Sequence, residues 1–297
     1  MLPKSLLHRR LLSSALLALS LVAANAVAAE PQPSHSGLTA AEIVDKHVAA
    51  RGGLQAWRAL QTLTLSGKLE AGHGSNDQRR LAMASQRGAA TKMQAATQGA
   101  AEPATKADAD PQVLLPITLE MKRPNKSRIE IEFAGKTAVQ GFDGVQGWKL
   151  RPYLNRTDVE PFTPDEAKSE ATKADLDGPL VDYAAKGTKV ALAGVEPVAG
   201  HDAYKLTLTL KNGDVQHIWI DTKSFLDVKV EGIKRRMDGR MHDVYVYQRD
   251  FRSVQGLMVP FILETAVDGY KETHKLIVEK VAVNPKLDDS RFAKPGA

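Results

Sequence analysis

The chain has 297 residues, of which 43% are hydrophobic, 25% are charged and none is cysteine. The lack of cysteine excludes a disulfide-stabilised scaffold and any zinc or iron–sulfur site held by thiolates. The formal net charge is +5, but three positive charges lie in the first 28 residues, which contain no acid, so the remainder carries only +2. So small an excess gives no case for nucleic-acid binding, which normally requires a strongly basic domain or stripe.

The first 28 residues have the pattern of a cleaved secretory signal. Three basic residues precede an apolar run at 11–24, and Ala-Val-Ala at 26–28 forms a small-residue cleavage site. An uncleaved membrane anchor is the alternative, but the run is shorter than the roughly 20 residues that a spanning helix needs. The mature protein is therefore expected to begin near Ala29 and to reside in the bacterial periplasm, with no cysteine at the cleavage site to carry a lipid.

The mature chain begins with a short leader and two helices. Residues 29–38 are rich in proline and serine and are expected to form a flexible leader. Thr39 and Glu42 make a capping box, in which each side chain satisfies a backbone N–H at the start of a helix. Apolar residues at helical spacing then predict a helix that Gly52-Gly53 ends, followed by a short helical piece over 54–60.

From Leu63 onwards, apolar residues alternate with polar ones, which is the pattern of half-buried β-strands. Asn212-Gly213 adds the signal of a tight hairpin turn between two of them. The alternation predicts about eleven or twelve strands, at residues 63–69, 114–121, 128–133, 136–141, 146–151, 190–195, 204–210, 215–220, 226–231, 244–251, 257–266 and 275–283.

The alternation is interrupted at residues 82–112, which are rich in Ala, Gln, Thr and Gly. Because this segment has few bulky apolar groups to bury, it cannot offset its own ordering entropy. It is therefore predicted to be a disordered insertion in a single domain over 39–297, with a transient helix as the alternative.

The strand signals predict a mainly β (α+β) fold, because helices are predicted only over 39–60 and 164–174. Most strands have one apolar face, which two helical segments are too few to cover tightly. The expected architecture is a large curved antiparallel sheet that forms an open half-barrel, with the helices on its concave face. Such a shape leaves room for an apolar ligand inside.

Three ordered motifs carry a family resemblance. A strand ends in Lys-Arg-Pro-Asn at 122–125, Asp-Gly-x-x-x-Trp follows at 143–148, and Ala-Arg-Gly-Gly at 50–53 precedes Trp57. Together they resemble the LolA-type outer-membrane lipoprotein carriers and the related lipoprotein-sorting proteins. The resemblance implies a half-barrel, closed by helices, that holds the acyl chains of a lipoprotein during transit. It also implies that Arg123 matches the arginine that keeps the lid of these carriers closed.

The resemblance and the alternation together define a candidate cavity and lid. The sequence leaves open whether the apolar members line an empty cavity or a filled core. For Arg123, the alternative is an ordinary surface ion pair. For Trp148, the alternative is a residue of the hydrophobic core. The candidate ligand-binding residues are Leu119, Met121, Arg123, Pro124, Ile129, Ile131, Phe133 and Trp148.

Four basic residues crowd a second candidate surface, the tip of the predicted Asp238-Gly239 hairpin. They are Lys234, Arg235, Arg236 and Arg240. Their charge suits anionic lipid headgroups or an acidic partner. The alternative is a charged tip that prevents aggregation through strand edges.

No pattern favours catalysis or a cofactor. The eight histidines are scattered, without a pair at metal-binding spacing, and the adjacent acid pairs Asp165-Glu166 and Asp288-Asp289 do not face one another. We therefore expect no catalytic residue, no metal and no cofactor.

The resulting hypothesis is a monomeric periplasmic carrier of acylated lipoprotein or lipid cargo. The resemblance adds an inner-membrane donor and an outer-membrane acceptor as partners. An envelope-stress sensor or lipid-responsive module on the same fold is one alternative, and a structural docking protein is another.

Overall fold

The computed structural model describes residues 37–70, 113–152 and 156–295. The predicted signal segment, almost all of the leader and the predicted insertion at 82–112 lie outside the described residues. In the part that is described, no helix is long and apolar enough to cross a membrane.

The described residues form one antiparallel sheet of thirteen strands that does not close on itself. Strands β1 to β6 make one meander and β7 to β13 make another, and the pairing of β1 with β13 joins the two, so β6 and β7 are the free edges. The strands are β1 (Thr62–Glu70), β2 (Leu114–Lys122), β3 (Lys126–Phe133), β4 (Lys136–Phe142), β5 (Gly147–Leu150), β6 (Glu160–Pro161), β7 (Lys189–Val198), β8 (His201–Thr209), β9 (Val215–Asp221), β10 (Asp227–Met237), β11 (Arg240–Val254), β12 (Leu257–Val267) and β13 (Thr273–Val283).

The predicted open half-barrel of antiparallel strands is confirmed. Every segment with a predicted strand contains one, and the additional strand is β6. The prediction missed β6 because two residues are too few to show an alternation of apolar and polar side chains.

Two of the three described helices precede the sheet: α1 (Ala40–Ala50) and α2 (Leu54–Ala59). The predicted capping box at the start of α1 is confirmed, since the Thr39 hydroxyl accepts the Glu42 N–H at 3.2 Å and a Glu42 carboxylate oxygen accepts the Thr39 N–H at 2.7 Å. Gly52 ends α1 with a φ of 112°, and a Cβ there would lie 2.1 Å from the carbonyl oxygen of Gly256. Only glycine therefore permits this close approach of α1 to the sheet.

Both helices cover one face of the sheet, which we call the inner face. Ile43 and Val44 of α1 are buried against Leu206 and Ile220. In α2, Trp57 is buried in a second cluster, which includes Leu63, Leu65, Val259 and Phe261. The pairing register extends this face to Leu119 and Ile129, because Leu65 is opposite Leu119 and Leu119 is opposite Ile129.

The C-terminal segment crosses the opposite, outer face of β2 to β5. Phe292 is fully buried there, and its carbonyl oxygen accepts the indole N–H of Trp148 at 3.0 Å. Arg291 pairs with Glu120 at 2.8 Å on the same face. The first half of the sheet is therefore covered on both faces.

Candidate functional site

A third helix, α3 (Pro164–Lys173), lies over the inner face at the β4–β5 end of the sheet. Its predicted start is confirmed, with Thr163 as cap and Pro164 in the first turn. Polar contacts attach it to the sheet: the Ser127 hydroxyl donates to Glu170 at 2.7 Å, and the Lys149 ammonium contacts both oxygens of Glu166 at 2.5 and 2.6 Å. Because these are contacts between polar side-chain ends, α3 does not interdigitate with an apolar sheet surface.

The loop that follows α3 returns to the packed helices. Leu176, Leu180 and Val181 are at most 6% exposed, and they join the apolar clusters around α1 and α2. We refer to α2, α3 and residues 174–188 together as the cover.

A cavity of about 1020 Å³ lies between the inner face and the part of the cover formed by α3 and residues 174–188. This is at the upper end of the roughly 300–1,000 Å³ that is typical of small-molecule sites. Its floor is made by the central strands and is mostly apolar, with Thr265 and His274 as polar members. The apolar members are Leu69, Val230, Val244, Val246, Leu263 and Leu276. Most of these side chains are only half-buried, so the side chains of the described residues do not fill the space.

Arg123 connects the cover to the end of β2. Its guanidinium donates to the carbonyl oxygens of Leu60 at 2.6 Å and Trp57 at 2.9 Å, at the C-terminal end of α2. It also makes a two-pronged contact with Asp177 in the 174–188 loop, with one distance of 2.8 Å. The side chain of Asp177 is 8% exposed, so this carboxylate depends on Arg123 and on Lys186, 3.9 Å away.

A second ion pair links the same two parts of the cover, nearer to solvent. Arg58 of α2 donates to both carboxylate oxygens of Asp182, at 2.6 and 2.9 Å. The hydrogen bonds from Arg58 lower the pKa of Asp182, and those to Asp182 raise the pKa of Arg58. Since Arg58 is half-exposed and Asp182 is partly exposed, the pair aligns the cover more than it stabilises it.

The structure separates the predicted cavity residues into three groups. Ile129 lines the cavity. Leu119 and Met121 pack against the cluster around Trp57 instead. The half-buried Ile131 and Phe133 also lie on the inner face, by alternation from Ile129, but outside the cavity lining.

The remaining three predicted residues occupy different surroundings. Arg123 lies at the contact between β2 and the cover, and Pro124 is exposed in the following turn. Trp148, in contrast, lies on the outer face beneath the C-terminal segment, 3% exposed, with Gly141 opposite it. This position suits the alternative of a core residue and separates Trp148 from the cavity.

The four basic residues of the predicted hairpin tip fall into two groups, one in the cavity wall and one outside it. Lys234 and Arg235 lie in the wall of the cavity, and Lys234 pairs with Asp243 at 2.8 Å. Arg236 and Arg240 are exposed outside the cavity wall, with Arg236 donating to the carbonyl oxygen of Gly239 at 3.2 Å.

Sequence reasoning missed two parts of the site. The floor residues of β10 to β13 belong to strands that were predicted, and their apolar alternation was a usable signal. By contrast, no local pattern distinguishes Asp177, which binds Arg123, or Lys211, which lies at the cavity wall in the turn between β8 and β9. Within the described residues, no three His, Asp or Glu side chains are grouped to hold a metal ion.

Comparison with known proteins shows the fold alone. No family model matches the sequence, and no curated protein matches it. Among solved structures, a LolA superfamily protein from Nitrosomonas europaea is 15% identical, with a TM-score of 0.51 over 86% of this chain and 98% of the other.

Two further structures have a similar relationship to this chain. A domain described as an outer membrane lipoprotein-sorting protein, from Vibrio parahaemolyticus, is 11% identical with a TM-score of 0.50, over 85% of this chain and 95% of the other. A DUF1329 family protein from Desulfovibrio piger is 12% identical with a TM-score of 0.51, over 84% and 95%. The predicted resemblance to the LolA type is thus confirmed at the level of the fold.

Proposed function

We propose that this protein with a LolA-like half-barrel is a periplasmic carrier, which binds the acyl chains of lipoproteins or other lipids and transfers them towards the outer membrane. The observation that carries the proposal is the cavity of about 1020 Å³, whose mostly apolar floor is left unfilled by the side chains of the described residues. The name of the Vibrio parahaemolyticus domain, a lipoprotein-sorting protein, supports the same role.

The energetics of such a role require burial and release without a chemical step. Each CH₂ group of an acyl chain gains about 0.8 kcal/mol when it leaves water for an apolar surface. Long chains therefore need an enclosed floor during transit and a cover that can move for loading and unloading. In this proposal, the contact of Arg123 with α2 and Asp177 holds the cover closed.

The proposed location depends on export by the segment at residues 1–28. Amino-terminal sequencing of protein recovered from the periplasm is expected to begin near Ala29. Recovery of a chain that retains Met1 would contradict the cleavage.

The proposal is tested by purifying the protein from the periplasm without detergent, followed by native mass spectrometry and lipid extraction. We expect a bound acylated species. Leu263→Trp, which places an indole on the cavity floor where the acyl chains would lie, is expected to reduce the bound mass.

Ile262→Trp is the matched control, because Ile262 is the neighbouring residue on the same strand and points to the outer face. It is expected to retain the bound species. A wild-type protein that carries no lipid, and takes up none from vesicles, would overturn the proposed function.

A further inference from the structure

The charges around the cavity are not all neutralised by neighbours. The wall contains five acids and five cations, drawn from α3, the 174–188 loop and strands β8 to β10. Their pairing determines which charges remain for a ligand, because a charge that is already paired offers little to a second partner.

The acids are mostly paired. Glu166 contacts Lys149 at 2.5 Å, and Asp175 contacts Lys186 at 2.6 Å. Glu170 accepts from Ser127 and lies 3.7 Å from Lys173. The carboxylate of Glu231 is turned to His217 of the neighbouring strand. Asp165 alone has no partner in the described residues, and it lies in the first turn of α3, where the helix dipole favours a negative charge.

Two cations in the wall have no such partner. Lys211 and Arg235 make no hydrogen bond or ion pair in the described part of the chain, whereas Lys234 is paired with Asp243. Lys211 is exposed, and its aliphatic stem lies beside Gly187, where an added Cβ would be 3.4 Å from the stem carbons. An unpaired cation in this position is available to a ligand at the cavity wall.

The topology brings these two cations to the same end of the sheet. Lys211 lies in the turn between β8 and β9, and Arg235 lies near the end of β10. Strands β9 and β10 are antiparallel neighbours, and the Gln216 amide at the start of β9 donates to the carbonyl oxygen of Glu231 at 2.7 Å. The turn that contains Lys211 is therefore beside the last residues of β10.

We infer that the cargo is a free anionic phospholipid, whose acyl chains lie on the apolar floor while its phosphate contacts Lys211 and Arg235. The inference rests on the proposed function and adds the chemistry of the headgroup. An apolar floor that ends at two unmatched cations complements a molecule with apolar chains and one negative end. Guanidinium and ammonium groups are the usual protein partners of phosphate.

The test compares two lipids with identical acyl chains. Mature protein is incubated with vesicles of phosphatidylglycerol, which is anionic, or phosphatidylcholine, which is zwitterionic, and bound lipid is counted by native mass spectrometry. A cation near a headgroup of net negative charge contributes about fivefold in affinity. The choline of phosphatidylcholine neutralises the charge of its own phosphate, so the two cations together should favour phosphatidylglycerol by up to about 25-fold. The preference should shrink as salt is added, because exposed charges are screened.

Lys211→Gln/Arg235→Gln is expected to bind both lipids equally, at the wild-type level for phosphatidylcholine. Lys286→Gln/Lys294→Gln removes the same charge from exposed residues of the C-terminal segment and should keep the wild-type preference. An unchanged thermal midpoint of the first double variant verifies that it folds, as the exposure of both residues leads us to expect.

The remaining outcomes separate the two claims. Equal binding of both lipids by the wild-type protein overturns the inference and leaves the proposed function standing. Binding of neither lipid overturns the inference, and it overturns the proposed function as well if the protein purified without detergent carries no acylated species. If inorganic phosphate alone binds the wild-type protein as well as phosphatidylglycerol does, the site recognises a free anion and the lipid assignment is wrong.

Discussion

The two ends of the inner face are covered in different ways. At the end covered by α1, apolar side chains interdigitate: Ile43 and Leu206 have no exposed surface. At the end covered by α3, the contacts are made by charged and hydroxyl groups such as Lys149, Glu166 and Ser127. Close-packed apolar contacts leave no room and cost several kcal/mol to disrupt, whereas polar contacts hold the helix away from the sheet and can be exchanged for water. The difference explains how one sheet supports both a rigid core and a large cavity.

The largest expected effect distinguishes two leucines on the inner face. Leu206→Ala, in the buried cluster beneath α1, should lower the free energy of unfolding by about 2–5 kcal/mol, since it leaves a void among buried side chains. Leu263→Ala, on the half-buried cavity floor, should cost less than about 1.5 kcal/mol, because the space beside it is already open. Urea denaturation of the delipidated proteins measures both, and equal losses would contradict the distinction.

The next effect concerns the contact between the sheet and the cover. Arg123→Leu leaves the carboxylate of Asp177 buried without its main partner, and should destabilise the protein by about 1–3 kcal/mol and speed lipid release. Arg123→Leu/Asp177→Leu removes both charges and should recover part of that stability without slowing release. Release is followed by transfer of a fluorescent lipid to acceptor vesicles, and wild-type kinetics in Arg123→Leu would count against the closing role.

A pH dependence of the stability is expected from the end of the inner face that α1 covers. His47 lies on the buried face of α1 and is 1% exposed, and this burial lowers its pKa. Nearby Arg51 also lowers the pKa, whereas the Asp227 carboxylate and the Phe225 carbonyl oxygen raise it. The unfolded chain therefore binds a proton more readily than the folded one. The free energy of unfolding has its full contribution from neutral His47 above the pKa of the unfolded chain, near 6.5. It falls as the pH decreases below that value, by at most about 1.4 kcal/mol per pH unit.

The measurement compares the unfolding free energy at several pH values between wild-type protein and His47→Gln. The variant should lose this part of the slope, whatever its stability at neutral pH. A slope identical to that of the wild-type protein would show that other groups cause the pH dependence.

The smallest effect is expected from the exposed pair in the cover. Arg58→Gln should change the thermal midpoint little, because the Asp182 side chain is partly exposed and water can replace its partner. Its release rate should stay closer to wild type than that of Arg123→Leu. An equally fast release would mean that the two ion pairs hold the cover together as a unit.

Trp148 shows how a distant segment decides which face of the sheet buries a strand residue. An apolar residue in a strand is normally assigned to the covered face, and Lys149 beside it to solvent. The structure reverses this, because the C-terminal segment covers the outer face with Phe292, and α3 supplies Glu166 as a partner for Lys149 on the inner face. Both partners are distant in sequence, so no local pattern predicts them.

The sequence by itself determined the elements and their class. The alternation in β8 to β13, the capping boxes of α1 and α3 and the glycines after α1 are local signals, because neighbouring residues alone produce them. The tertiary structure alone decided what surrounds Arg123, Lys211 and Arg235. The partners of Arg123 lie 54 to 66 residues away along the chain. Lys211 and Arg235 come to the same end of the sheet only when β9 pairs with β10. The shape and charge of a cavity depend on such contacts, whose energies arise only once the sheet has formed.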